Sequence, residues 1–382
     1  MSRPIYRCTE CGKTYAFSPD RMVCGDCSAR QADDEPIRGL LEVELDREIP
    51  ESWNIYDFLP VERRFFPAVP VGNTPLWEGD NIRAGTGFQR LYFKDDGCNP
   101  TGSFKDRASY LVAAFARKFG IRNIVLASTG NAGSSMAGIG AAAGLKVRLY
   151  LPQSAPEAKL IQSLQYGASL IRVEGHYDLA YEQSMDYVAR HGGLSRNTAH
   201  NPLTIEGKKT VSLEIFKQLG NKAPDYLFVS AGDGVILSGV YRGLENLLAC
   251  GMISRMPTVI AVQAEGSAAI FRALKSGGFG QPQRADTIAD SISVDVPKGG
   301  YFALQRLQRH NGEVLTVGDK EILRAQRGLA EGIGLFTEPA GAAAAAGFFK
   351  IKERLPKNAV YVILLTGSGL KDIASAKKGL ES

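Results

Sequence analysis

The chain has 382 residues, 44% apolar and 22% charged; at roughly 150 residues per domain this describes a globular chain of two or three domains and excludes a disordered or collagen-like polymer. Its 45 Lys and Arg against 40 Asp and Glu leave a net charge of +5, and the basic residues are scattered along the length, so nucleic acid is not an expected partner. Apolar stretches such as 340–349 fall short of the roughly 18 consecutive apolar residues of a membrane span, and the N-terminus MSRPIYRCTE has no apolar signal core, so a cytoplasmic protein without a membrane partner is expected.

The first signal along the chain is a pair of Cys-x2-Cys units, Cys8 with Cys11 and Cys24 with Cys27, twelve residues apart. Two such knuckles supply four thiolates in a tetrahedron around Zn²⁺, and disulfides are disfavoured in a reducing compartment. Four sulfurs close the coordination sphere, so the zinc is expected to be structural, in a ribbon module over 1–35. Of the two remaining cysteines, Cys98 stands alone, and Cys250 ends an apolar helical run and is expected to be a buried core thiol. A polar, acidic connector at 31–35 and a proline-broken stretch at 49–75 follow, so 36–90 reads as linker with some elements of the large domain.

From Leu91 onward, short β-rich runs alternate with helical ones: LYFK, a helix at about 105–119, NIVLAS, a helix at 134–143, KVRLYL, a helix at 155–166, and SLIRV. These form a smaller α/β domain, 91–205. A second series fills a large α/β domain, 206–382: YLFVS, a helix at 237–248, TVIAVQ, helices at about 268–274 and 320–331, an Ala-rich segment at 340–347, and VYVILL. The alternation predicts two open parallel sheets with helices on both faces, the Ala-rich segment being a close-packing helix.

Three strand-to-helix connections carry chemistry. Lys105, within Asn99-Pro100-Thr101-Gly102-Ser103-Phe104-Lys105-Asp106, starts a helix, where the partial positive charge of the N-terminus favours a neutral, nucleophilic amine of the kind used in Schiff-base chemistry. Ser128, Thr129, Gly130, Asn131, Ala132 and Gly133 end the strand NIVLA and open the next helix, at the carboxyl end of a parallel strand, where ligands bind in open α/β folds. Gly232, Asp233, Gly234, Val235 and Ile236 follow the strand YLFV with the geometry of a phosphate cradle; a carboxylate there would repel phosphate, so Asp233 is expected to turn away and cap the helix or a turn.

With these strings in this order, the chain resembles the threonine synthase family of type II pyridoxal-phosphate (PLP) enzymes, related to the tryptophan synthase β chain. The resemblance covers nearly the whole length, and the cysteine ribbon also occurs in many members. It implies the type II PLP-dependent fold, PLP joined to Lys105 beside Phe104, Asn131 on the cofactor's phenolic oxygen, and the substrate carboxylate at 128–133. It further implies phosphate held by residues 232–236 and, from the matching string Thr366-Gly367-Ser368-Gly369-Leu370-Lys371-Asp372, the Thr366 hydroxyl facing the pyridine nitrogen. Glu338, in Glu338-Pro339-Ala340-Gly341, is expected to be wall and not catalyst, and a homodimer is expected.

The resemblance breaks at the substrate end. Where the family carries Asn-Ser-x-Asn-Pro-x-Arg-x-Glu-Gly, with Ser and Arg on the phosphate of O-phosphohomoserine, this chain has Thr198-Ala199-His200-Asn201-Pro202-Leu203-Thr204-Ile205-Glu206-Gly207. The serine becomes Ala199, the arginine Thr204, and the Asn ending the phosphate loop Ile236. His200, Lys208 and Lys209 are sequence-near candidates for a replacement cation, weighed against ordinary surface positions. The leading expectation is a PLP-dependent lyase or synthase acting on a small hydroxy or O-activated L-amino acid. The alternatives are a threonine synthase with a rebuilt phosphate site, a serine/threonine dehydratase or O-phosphoserine-dependent β-replacement synthase, and a non-catalytic PLP-binding relative.

Overall fold

The run NIVLA at Asn123–Ala127 lacks polar alternation, and every side chain after its first is buried, the pattern of a parallel strand covered on both faces. The computed structural model describes residues 4–46, 48–155 and 157–381; the outer ends of the expected terminal domains, 1–3 and 382, and position 156 of the helix expected at 155–166 lie outside the described residues. The chain sorts into two units that divide between Phe104 and Lys105: Met1–Gln31, Ile37–Val71 and Lys105–Thr210 form one, and Ala32–Pro36, Gly72–Phe104 and Val211–Ser382 the other.

In the first unit a four-stranded parallel sheet runs in the order Ser169–Val173, Lys146–Pro152, Asn123–Ala127, Leu194–Ser195. The helix Lys105–Lys118 has Asp106 in its first turn and Arg117 and Lys118 in its last, each complementing the helix dipole. The helix Asn131–Ala143 stops at Gly144, whose φ of 69° ends it in the left-handed region. Beside them lies an antiparallel sheet of Thr14–Ala16, Ile5–Cys8 and Leu41–Glu44; Cys8 ends its central strand, Cys11 is in the turn that follows, and Cys24 and Cys27 lie at the start of and within the short helix Gly25–Ser28.

That cysteine module was expected to stand as its own domain, 1–35, but its third strand lies beyond that limit and its core is continuous with the unit. Tyr6, Cys8, Cys24, Cys27, Leu41 and Val43 share one buried cluster with Leu111, Phe115, Leu126 and Leu149, and Phe17 meets Phe115 edge-on at 5.1 Å. A module this small buries too little surface to hold a core alone.

The second unit is built on a six-stranded sheet ordered Glu313–Val317, Thr258–Ala264, Tyr226–Ser230, Tyr361–Leu365, Leu91–Asp95, Leu76–Trp77, parallel except for the last pair. The run LYFK was expected in the smaller domain, yet Leu91–Asp95 pairs with Tyr361–Leu365 along its whole length. All five residues of Tyr361–Leu365 are buried, and such a strand requires a hydrogen-bonded neighbour on each edge. The Ala-rich segment is a helix, Pro339–Ile351, packed so closely that a Cβ on Gly347 would lie 2.5 Å from a Val262 methyl. Sequence periodicity passed over the helices Tyr177–His191 and Gly300–Arg309 and the strand Glu313–Val317. Cys250, expected in the core, is exposed: it caps the end of the helix Val235–Ala249, where Ala249 and Gly251 on either side are exposed as well. Among the described residues no helix is long and apolar enough to cross a membrane.

Candidate active site

In the second unit, Tyr226–Ser230, Tyr361–Leu365 and Leu91–Asp95 are adjacent parallel strands, so the loops after them leave the sheet side by side at its carboxyl edge. The loop leading to Lys105 is fixed there by backbone hydrogen bonds. Phe104 N–H donates to the Thr366 carbonyl at 2.9 Å, and Ser368 N–H donates to the Gly102 carbonyl at 3.0 Å. The Lys371 ammonium donates to the Thr101 carbonyl at 3.3 Å. Gly102 takes φ of 86°, a conformation glycine tolerates and a side chain resists. Phe104 is fully buried in an apolar cluster with Val229, Ile236 and Val362, so it anchors the peptide that precedes Lys105.

The glycine turn after Tyr226–Ser230 is equally constrained. A Cβ on Gly232 would come 2.7 Å from the Ile292 backbone, and Gly234 has φ of 84°. Asp233 turns back as expected: its carboxylate accepts the Val235 N–H at 3.0 Å, and its carbonyl accepts the Gly299 N–H at 2.8 Å. The turn leads into the fifteen-residue helix Val235–Ala249, whose first-turn N–H groups have no intrahelical acceptor.

In the first unit, Lys105 and Asn131 each open a helix, Lys105–Lys118 and Asn131–Ala143. Ser135 donates to Ser109 at 2.7 Å, and each serine lies one turn beyond its helix's first residue, which brings the two N-termini to the same level. Lys105 is half-buried and Asn131 buried. The Ser128 hydroxyl accepts the N–H groups of Gly130 and Gly133 at 3.3 and 3.0 Å, closing the turn, while a Cβ on Gly130 would meet no atom within 4 Å. A helix N-terminus facing open space in this way suits a carboxylate.

The altered segment lies beside this turn, because Leu194–Ser195 is the parallel neighbour of Asn123–Ala127. Asn197 Oδ1 accepts the Ala127 N–H at 2.8 Å, one residue before Ser128. Ala199 is buried at φ of 71°, and the buried Thr204 hydroxyl donates to the Asn201 carbonyl at 2.9 Å, so neither position presents a cation. The three candidate replacement cations are not surface residues. Burial pushes the His200 imidazole down to about 4, leaving it neutral at pH 7. Lys209 pairs with Glu206, and Lys208 is fully buried. The cause is close helix packing: a Cβ on Gly207 would lie 2.3 Å from the Arg107 carbonyl oxygen.

Sequence reasoning missed Ser109, Ser135, Arg196 and Asn197. The serines were legible in principle, since each stands four residues after a motif residue. Arg196 and Asn197 follow a strand of only two residues, too short to signal itself.

The four thiols of the cysteine module lie within 4.8 Å of one another, with Cys8 Sγ 3.8 Å from Cys27 Sγ and Cys11 Sγ 3.7 Å from Cys24 Sγ. Sulfurs at about 2.3 Å from a central ion in a regular tetrahedron have edges of about 3.8 Å. Burial pushes the Cys8 thiol up to about 12. Burial also pushes on Cys24, but the Tyr15 hydroxyl, donating at 3.0 Å, and the Cys27 N–H outweigh it and hold that thiol down at about 7. Arg30 donates to Cys27 Sγ at 3.4 Å.

Residues 68–367 match the model of a family described as pyridoxal-phosphate dependent enzyme. The chain is 32% identical to a threonine synthase of Methanosarcina acetivorans, over 96% of this chain and 92% of that protein. It is also 32% identical to a threonine synthase of Methanocaldococcus jannaschii, over 99% and 95%. Among solved structures, the processed form of threonine deaminase isoform 2 from Solanum lycopersicum superposes with a TM-score of 0.72 at 19% identity, covering 88% of this chain and 96% of that one. A fungal L-serine ammonia-lyase from Rhizomucor miehei gives 0.70 at 21%, covering 81% and 98%; these two likenesses concern the fold. With the lysine, asparagine, glycine-turn and threonine strings all at the carboxyl ends of parallel strands, the chain belongs to the pyridoxal-phosphate dependent enzymes and, within them, to the threonine synthase family.

Proposed function

We propose that this chain is a lyase or synthase that eliminates or replaces a side-chain group of a small hydroxy or O-activated L-amino acid. The observation that carries the reading is the level pairing of the Lys105 and Asn131 helices through Ser109 and Ser135. The donor set fits PLP: a lysine amine, an asparagine amide, a glycine turn opening a helix, and a threonine hydroxyl after a buried strand. When bound, PLP supplies an electron sink for the pair left at Cα when a proton departs.

The residues divide the work. Lys105 would hold the cofactor through its amine and, once released from it, take the Cα proton as general base. The turn at 128–133 would receive the substrate carboxylate at the helix N-terminus and fix the orientation of the Cα–H bond. Asn131 would donate to the phenolic oxygen, and the N–H groups at 232–236 other than that of Val235, which Asp233 holds, would take the phosphate. Thr366 would hydrogen-bond the pyridine nitrogen without protonating it, which keeps the sink moderate and favours chemistry at the side chain.

The uncharged Ala199, Thr204 and Ile236 favour an unphosphorylated substrate, and so a serine/threonine dehydratase over an O-phosphoserine-dependent replacement enzyme. The names of the relatives at 32% identity favour the second reading, threonine synthesis from O-phosphohomoserine. The sulfur–sulfur distances support one structural zinc per chain at Cys8, Cys11, Cys24 and Cys27. The reading further includes a cytoplasmic homodimer. Product analysis with L-serine, L-threonine, O-phospho-L-serine and O-phospho-L-homoserine tests the function: turnover of none of them by protein loaded with PLP would overturn it.

A further inference from the structure

We infer that Arg196 is a positioning residue for substrate recognition, acting through Thr198; the inference rests on the PLP reading above. Arg196 is the first residue after the strand Leu194–Ser195, its N–H donates to the Val125 carbonyl at 2.9 Å, and its side chain is fully buried. A guanidinium so enclosed does not itself meet a substrate. Its hydrogen bonds show what it holds instead. Nε donates to Ser109 Oγ at 3.3 Å, the hydroxyl that also receives Ser135 at 2.7 Å, and Nη1 donates to Thr198 Oγ1 at 2.7 Å.

One planar group therefore ties the helix level shared by Lys105 and Asn131 to the residue that opens the 198–207 segment. Asn197, next in the chain, fastens the same stretch to Ala127 N–H at the start of the carboxylate turn and to Ser184 Oγ at 2.8 Å. Thr198 is only half-buried, unlike its neighbours, and is followed at once by Ala199 in the left-handed region. Thr198 is thus the half-buried end of a hydrogen-bonded relay that begins one turn beyond the reactive lysine. Where the segment has lost its serine and arginine, recognition falls on the placement of Thr198, and Arg196 sets that placement. Arginine suits this role because Nε and Nη1 lie in one rigid plane and reach two hydroxyls at a fixed angle, which a single ammonium does not.

The test uses full-length protein loaded with PLP, with binding of L-serine, O-phospho-L-serine and O-phospho-L-homoserine read from the change in visible absorption. Arg196→Gln and Thr198→Val should each weaken the tightest of the three by roughly ten- to a hundred-fold while the absorption of the free protein stays unchanged. The double variant should be no weaker than the worse single one, because both changes break one relay. Arg196→Lys should stay impaired despite keeping its charge. Dissociation constants within two-fold of wild type in both single variants would overturn the inference. So would multiplicative effects in the double variant, or loss of folding in Arg196→Gln alongside a Thr198→Val that binds normally, which would mark a purely structural arginine. Wild-type protein that takes up no PLP, or binds none of the three amino acids, would remove the functional reading and this inference with it.

Discussion

Ser135 donates a hydrogen bond to Ser109 at 2.7 Å between two buried side chains, and this contact sets the level of two helices whose first residues are Lys105 and Asn131. Neither serine belongs to the motifs that mark the family, yet the pair registers them. The Ser109 hydroxyl would keep the Arg196 Nε donor, so Ser135→Ala is expected to cost about 0.5–1.5 kcal/mol of stability, measured by denaturant unfolding with m unchanged. A variant as stable as wild type would show that helix packing alone keeps the level.

Lys105 is expected to be the residue that holds the cofactor. Lys105→Ala should abolish turnover, and borohydride reduction of the wild-type holoprotein followed by peptide mapping should place the label on Lys105. A label on another lysine, with activity retained in the alanine variant, would reassign the site.

Because the cysteine module shares its core with Phe115 and Leu126, removal of the zinc proposed for it should unsettle the whole first unit and not the module alone. Chelation, or Cys27→Ser, should lower the thermal midpoint of the unit that carries Lys105, and hydrogen exchange should speed up in the Lys105–Lys118 helix. Metal analysis should find one zinc per chain. Metal-free native protein with four reactive thiols would contradict this.

His200 gives the stability a pH dependence. Burial depresses its folded value from 6.5 to about 4, so between those values the unfolded chain binds more protons than the folded one. Its contribution is therefore fully present above about pH 6.5, falls as the pH drops toward 4, and amounts to up to about 3 kcal/mol. His200→Gln should flatten the acid limb of stability against pH in that window; an unchanged limb would mean that the imidazole titrates equally in both states.

O-phosphohomoserine is expected to be a poor substrate. A dianion leaving water needs charge-assisted partners, each worth about 1.5–3 kcal/mol, and Ala199, Thr204 and Ile236 offer none. Even if non-additivity halves the sum, kcat/KM should lie several powers of ten below the family's usual preference. The measurement is kcat/KM for phosphate release, set beside L-serine, L-threonine and O-phospho-L-serine. A wide margin in favour of O-phosphohomoserine would mean a rebuilt phosphate pocket. Thr204→Arg with Ile236→Asn should shift the ratio toward the phosphorylated substrate, at some cost in stability because position 204 is buried.

Features that depend on neighbours along the chain were legible from the residues alone. The strand-to-helix turns around Lys105, 128–133 and 232–236, the Asx turn at Asp233, the paired cysteines and the Ala-rich helix are local in their hydrogen bonds and spacing, and the structure has them where their residues stand. Which sheet Leu91–Asp95 joins is set by long-range packing, because strand pairing links it to Tyr361–Leu365, distant in sequence. The same holds for the fusion of the cysteine module with the core, the exposure of Cys250, the burial of Lys208, and the relay from Ser109 through Arg196 to Thr198. Burial and partnership are properties of what packs from elsewhere, and an arginine after a two-residue strand has no local pattern to declare that two hydroxyls, one of them on a distant helix, will receive it.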